Sequence, residues 1–171
     1  MTHKKSSQDI GKDFEKTLEG VFSYLQKSYG FRYHKFVDSH AAGNIVASQP
    51  SDYLVAAGSK MLFIEAKATA TNKNFTRGVL RPAQRGAIMM YGQVLKVPYL
   101  ILFYSEVTGL VSFIDGAKAM VGERVELKSC TFANVKISKL GDYLARHLEL
   151  KPLSVYLKQR EIDYGSKDVI H

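Results

Sequence analysis

The sequence predicts an α/β fold, a central mixed β-sheet flanked by helices. Three observations carry that expectation. An amphipathic helical pattern opens the chain, two short apolar strands joined by a tight turn follow, and a second helical stretch separates these from a further apolar strand. With 171 residues and 46% hydrophobic content, the chain can build one well-buried core and is short for two. A single domain is expected over residues 1–171, and no repeat or linker argues for a second.

Residues 1–8 read as a disordered, basic leader. From about Asp9 to Tyr29, Phe14, Leu18, Val21, Phe22 and Leu25 recur at helical spacing, and Gly30 stops the helix. Phe31 to Val37 predicts a first strand, and the small, polar stretch Asp38 to Gln49 a loop. Two strands follow, Asp52 to Ala57 and Met61 to Ala68, folded together by the turn signal at Gly58-Ser59. Thr69 to Leu80 is a basic loop. A helix is expected from about Pro82, placed at its first turn, to Leu95. The strand Pro98 to Tyr104 leads through Thr108-Gly109 into Leu110 to Ile114, a hairpin. Glu126 to Ile137 is ambiguous between strand and loop. Ser138 would cap a short helix carrying Leu140, Tyr143, Leu144 and Leu148. A turn or two of helix beyond Pro152 and a frayed tail over Tyr164–His171 complete the reading.

The chemistry gathers at one place. The apolar run Met61 to Ile64 gives way to Glu65, Ala66 and Lys67. Alternation along a strand points Glu65 and Lys67 to one face, a costly arrangement inside a core unless the charges bind something. Asp52 heads the preceding strand, and the tight turn brings it beside the end of the next. Two carboxylates and a lysine then converge, a pattern suited to divalent-metal hydrolysis of phosphodiesters. Alone, the same triplet also suits a turn-capping aspartate and an exposed ion pair.

Pro50, Asp52, Glu65 and Lys67 resemble the PD-(D/E)xK nuclease motif, with Ser51 separating the proline from the aspartate. The order of elements is similar to that of the Holliday junction resolvases of that superfamily, the archaeal-type and RecU-like enzymes. Gly11 and Glu15 on the first helix and Gln84 at the start of the second agree with it. The resemblance implies a restriction-endonuclease-like core over about residues 9–115, with 116–171 a C-terminal extension of undecided role. It implies a homodimer that cuts symmetric strands of a four-way DNA junction, leaving a 5′-phosphate and a 3′-hydroxyl. Asp52 and Glu65 would be the main ligands of Mg²⁺ or Mn²⁺, with the Ala66 carbonyl an extra oxygen. Glu15 would complete the set, with Glu19 competing for the role. Lys67 would orient or deprotonate the attacking water or stabilise the pentacovalent charge, and Gln84 would hold water or a phosphate oxygen, or else cap its helix. Ser51 would brace the Asp52 turn.

Charge supports a polyanionic partner. Twenty-four Lys and Arg stand against sixteen Asp and Glu, for a net +8. From Ala66 to Ser105 there is no acidic residue, yet Lys67, Lys73, Arg77, Arg81, Arg85 and Lys96 fall there. Lys73, Arg77, Arg81 and Arg85 are therefore expected to contact DNA. Phe75, alone in a basic loop, would stack on a base or else tuck under the loop as an anchor; Tyr33 and Tyr91 are further candidates for stacking. The five histidines have no compact metal-ligand spacing, though His40 lies near the site. A single cysteine, Cys130, excludes an internal disulfide and reads as a packed, reduced thiol. No apolar run is long enough to span a bilayer, and the polar start lacks a signal peptide's apolar stretch. An intracellular protein of a prokaryotic cell or phage-infected host is expected.

Overall fold

The structure, a computed structural model, describes residues 6–36, 49–121 and 130–158. Residues 1–5 of the expected 1–8 leader, most of the 38–49 loop with His40, and the Tyr164–His171 tail lie outside the described residues; the end of that leader is corrected, because Ser6 caps a helix that already includes Ser7 and Gln8.

Helix α1, Ser7–Ser28, begins in a reciprocal cap: the Asp9 backbone N–H donates to Ser6 Oγ at 3.2 Å, and the Ser6 N–H to Asp9 Oδ2 at 3.3 Å. It buries Ile10, Phe14, Leu18, Phe22 and Leu25. Strands β1 (Phe31–Lys35), β2 (Tyr53–Ala57), β3 (Lys60–Thr69), β4 (Tyr99–Ser105), β5 (Leu110–Asp115) and β6 (Thr131–Lys136) form one sheet in sequence order. All neighbours are antiparallel except β3 and β4, which are parallel. The sheet is therefore mixed, as expected. A parallel pair needs a crossover, and residues 70–98 supply it with helix α2, Pro82–Ile88.

Alternation along the strands divides the core into two layers. After the short helix α3 (Gly116–Ala119), helix α4 (Leu140–His147) joins α1 on one face, packing Phe14, Leu18, Phe22, Leu140 and Leu144 against Tyr53, Val55, Ile64, Leu102 and Phe113. On the other, the crossover packs Phe75, Leu80 and Ile88 against Ile101, Phe103 and Ile114, with the chain's single cysteine, Cys130, buried among them. The second face carries the site, because Glu65 and Lys67 pair with Ile101 and Phe103.

Three expectations are corrected or sharpened. The helix expected over 82–95 changes winding: α2 ends at Ile88 and a π-helix runs Met89–Val94. Two contacts accompany the wider turn. A Cβ on Gly92 would come within 3.2 Å of the Ala117 Cβ, and Gln93 Nε2 donates to the Ala117 carbonyl at 2.9 Å. The ambiguous segment before Ile137 includes the edge strand β6, whose Ala133 and Asn134 pair with Phe113 and Ser112 on β5. Ser138 caps nothing. It lies within a 3₁₀ turn, Ile137–Lys139, that runs straight into α4. Beyond Pro152, residues 153–158 are helical, as expected.

Candidate active site

Asp52 stands immediately before β2, where Tyr53 pairs with Ile64, so it lies across from Glu65. The turn is braced by Ser51, whose buried hydroxyl donates to the Tyr53 carbonyl at 2.7 Å. Asp52 Oδ2 accepts the Ala66 backbone N–H at 2.8 Å. That bond ties the first strand of the hairpin to the segment bearing Glu65 and Lys67.

Glu65 is 1% exposed and is held from three sides. Lys67 Nζ lies 2.7 Å from its Oε1. Gln84 Nε2 donates to the same oxygen, while Gln84 Oε1 accepts the Arg81 N–H at 2.9 Å. The amide therefore caps α2, one of the two roles expected of it, and at the same time holds Glu65. The Tyr99 hydroxyl sits 3.4 Å from Glu65 Oε2 and donates to the Pro50 carbonyl at 2.6 Å.

The electrostatics of this pair favour a cation. Burial pushes the Asp52 carboxyl above its ordinary range, against the Lys67 charge and the Ala66 N–H, which favour the carboxylate. Burial pushes Glu65 up to about 7, reinforced by the Asp52 charge and opposed by Lys67. The buried Glu65 and the half-buried Asp52 share the Lys67 ammonium. Among the described residues the donor set consists of hard oxygens, with no thiolate or imidazole, which suits Mg²⁺ or Mn²⁺.

Glu15 is placed differently from expectation. Its Oε2 lies 3.1 Å from Lys35 Nζ, which also reaches Glu19 Oε1 at 2.6 Å. Glu15 is close enough for its charge to raise Asp52. Yet among the described residues no group of three His, Cys, Asp or Glu side chains is gathered closely enough to hold a metal. Lys35 draws both helix glutamates to itself, so the structure brings together Asp52 and Glu65 and leaves Glu15 outside the pair.

The expected DNA contacts divide. Lys73 and Arg81 are exposed and Arg85 is half-buried on the crossover that covers the site. Phe75 is 2% exposed, its ring edge-on to Phe103 at 5.7 Å. It is a core anchor beneath the loop, and the base-stacking role is withdrawn, because burial there removes more apolar area from water than solvent exposure allows. Arg77 is likewise committed: its Nε donates to the Ala119 carbonyl at 2.7 Å and its Nη2 to that of Val121. Tyr33 packs on Phe22 and Tyr91 on Phe63, with ring centroids 5.2 and 4.9 Å apart.

Two residues at the site escape sequence reasoning. Lys35 is an ordinary strand lysine until β1 is known to lie under α1. Tyr99 opens an apolar strand, and only the pairing of Phe63 with Tyr99 brings it to Glu65.

Comparison with family profiles and with curated proteins gives no match. Among solved structures the chain is similar to Hjc of Archaeoglobus fulgidus, a Holliday junction resolvase from an archaeal hyperthermophile. The TM-score is 0.47 at 14% identity, over 74% of this chain and 98% of that one. No helix among the described residues is long and apolar enough to cross a membrane.

Proposed function

We propose that this chain is a Mg²⁺-dependent endodeoxyribonuclease of the PD-(D/E)xK type that cuts branched DNA, the four-way junction foremost, as a homodimer. The observation that carries the reading is the pair of the half-buried Asp52 and the buried Glu65, short of positive charge, with Lys67 2.7 Å from Glu65. The segment that covers the pair is basic and free of acidic residues from Ala66 to Ser105. The junction and the dimer follow from the resemblance of the motif to the resolvases.

Asp52 and Glu65 would hold the ion, with the Ala66 carbonyl as a further oxygen. A divalent ion there supplies neutralisation of the phosphoryl oxygens and a more acidic water. Lys67, on the same face as Glu65, would orient the attacking water and stabilise negative charge on the phosphorus. Gln84 would hold Glu65 in place through its Nε2, and Tyr99 would fix the Pro50–Asp52 corner relative to Glu65. Lys73, Arg81 and Arg85 would neutralise phosphates beside the scissile one.

The test is incubation with a synthetic four-way junction and a matched linear duplex, with Mg²⁺ and with EDTA. Paired nicks in opposite strands of the junction alone, lost in EDTA and in Asp52→Asn, are expected. Cleavage of the duplex as well would make the chain a general or sequence-specific nuclease. Binding without cleavage would overturn the catalytic reading.

A further inference from the structure

A row of residues crosses the sheet from the candidate active site to its last strand. Lys67 on β3 pairs with Phe103 on β4, Phe103 with Ser112 on β5, and Ser112 with Asn134 on β6. Directly paired residues share a face, so all four rise from the face that bears Glu65. Three interstrand spacings place Asn134 roughly 14 Å from Lys67.

Phe75 covers Phe103 in this row, and beyond it lies a cavity of about 320 Å³. Asn74, Phe75, Ser112, Ile114, Thr131 and Asn134 line it. The basic loop that supplies Asn74 is pinned at its root. The Thr71 and Asn72 N–H groups both donate to Thr69 Oγ1 at 3.3 Å, and Ser105 Oγ donates to the Asn72 carbonyl at 2.8 Å. Ser112 Oγ donates to Asn134 Oδ1 at 2.6 Å, which orients that amide and leaves its NH₂ without a partner among the described residues.

The lining chemistry selects its ligand. These six residues carry no charge, so a phosphate or carboxylate would enter without a counterion. Two amides and two hydroxyls offer neutral donors and acceptors, while the exposed Phe132, which also lines the cavity, adds apolar surface above a buried floor of Phe75 and Ile114. A planar, neutral heterocycle with amide-like edges meets both requirements, and the volume falls at the small end of ligand sites. A base stacked within a duplex cannot reach such a recess; an unpaired one can.

We propose that this cavity receives an unpaired nucleobase of the bound nucleic acid, a few nucleotides from the scissile phosphate, and so favours DNA that carries unpaired nucleotides over fully paired DNA. The proposal rests on the nuclease reading for its partner, and its position on the sheet sets the spacing from the site.

Two measurements on the full chain separate the ideas. In the first, side-chain amide resonances of Asn74 and Asn134 are followed by NMR during titration with dAMP, with deoxyribose 5-phosphate and inorganic phosphate as controls. Saturable shifts with dAMP alone are expected, and Asn134→Leu and Asn74→Ala should each weaken them. In the second, affinities for a duplex carrying a short single-stranded flap and for a matched, fully paired duplex are measured in EDTA. Asn134→Leu should lose about tenfold on the flapped duplex and nothing on the paired one, the effect of one lost amide–base contact. Equal responses to dAMP and deoxyribose 5-phosphate, or none, would overturn the base site even if the junction is cut. A dAMP response in a protein that cuts no DNA would keep the base site and remove the nuclease reading.

Discussion

The hydroxyl of Tyr99 donates to the carbonyl oxygen of Pro50 at 2.6 Å, joining the start of β4 to the corner that carries Asp52. The same hydroxyl lies 3.4 Å from Glu65 Oε2. Asp52 and Glu65 come from the two strands of one hairpin, and this third element sets their separation.

Tyr99→Phe should therefore loosen the site more than the fold. Loss of a buried hydrogen bond typically lowers stability by about 1 kcal/mol, measurable by urea unfolding. Junction cleavage should fall about tenfold through a slower chemical step, and the Mg²⁺ concentration giving half-maximal rate should rise. Unchanged cleavage in a variant of unchanged stability would remove Tyr99 from the site.

The raised carboxyls give the metal-free protein an unusual pH dependence. Glu65 moves from an ordinary 4.5 to about 7 in the folded chain, so the folded state holds its proton more tightly than the unfolded state. Its contribution is fully present below the ordinary carboxylate range and is lost as pH rises through about 7. Asp52, also raised, acts in the same direction. In EDTA, Tm should fall between about pH 5 and about pH 8, by up to roughly 3 kcal/mol of stability for Glu65 alone. Mg²⁺ should restore Tm at the alkaline end, and Glu65→Gln should flatten the profile.

Asp52→Asn separates stability from activity. An asparagine Oδ1 can still accept the Ala66 N–H, while the repulsion on Glu65 disappears. At neutral pH in EDTA the variant should be as stable as the parent or more so, by about 1 kcal/mol, and Mg²⁺ should no longer raise its Tm. Cleavage should be abolished.

Phe75→Ala should act as a core deletion. Its ring is buried against Phe103, and such truncations lower stability by about 3–5 kcal/mol. Calorimetry should show a large drop in Tm. Phe75→Leu, which keeps most of the volume, should recover much of the stability.

The basic residues should sort by their partners. Lys73→Gln and Arg81→Gln should each reduce the slope of log affinity against log salt by about 0.9. Arg77→Gln should instead lower stability, because its guanidinium holds the Ala119 and Val121 carbonyls. A salt slope that changes most in the Arg77 variant would reverse this assignment.

What the sequence determined by itself were the local features. Apolar spacing marks α1, the turn at Gly58 marks the β2–β3 hairpin, and the alternation Glu65-Ala66-Lys67 puts two charges on one face. These depend on neighbours within a few residues, which the chain order specifies directly. Pairing Asp52 with Glu65 was legible for the same reason, because a tight turn leaves only one antiparallel register that buries Tyr53, Val55 and Ile64 together. Only the tertiary structure decided which distant groups share a face. It buried Phe75, fastened Arg77 and tied Glu15 to Lys35, all by contacts across the sheet or between sheet and helix. It brought Tyr99 to Glu65 through the parallel β3–β4 pairing, and aligned a separate row from Lys67 through Phe103 and Ser112 to Asn134. Side-chain type and local spacing leave such contacts open, since the choice among burial, ion pairing and exposure depends on the partner that packing supplies.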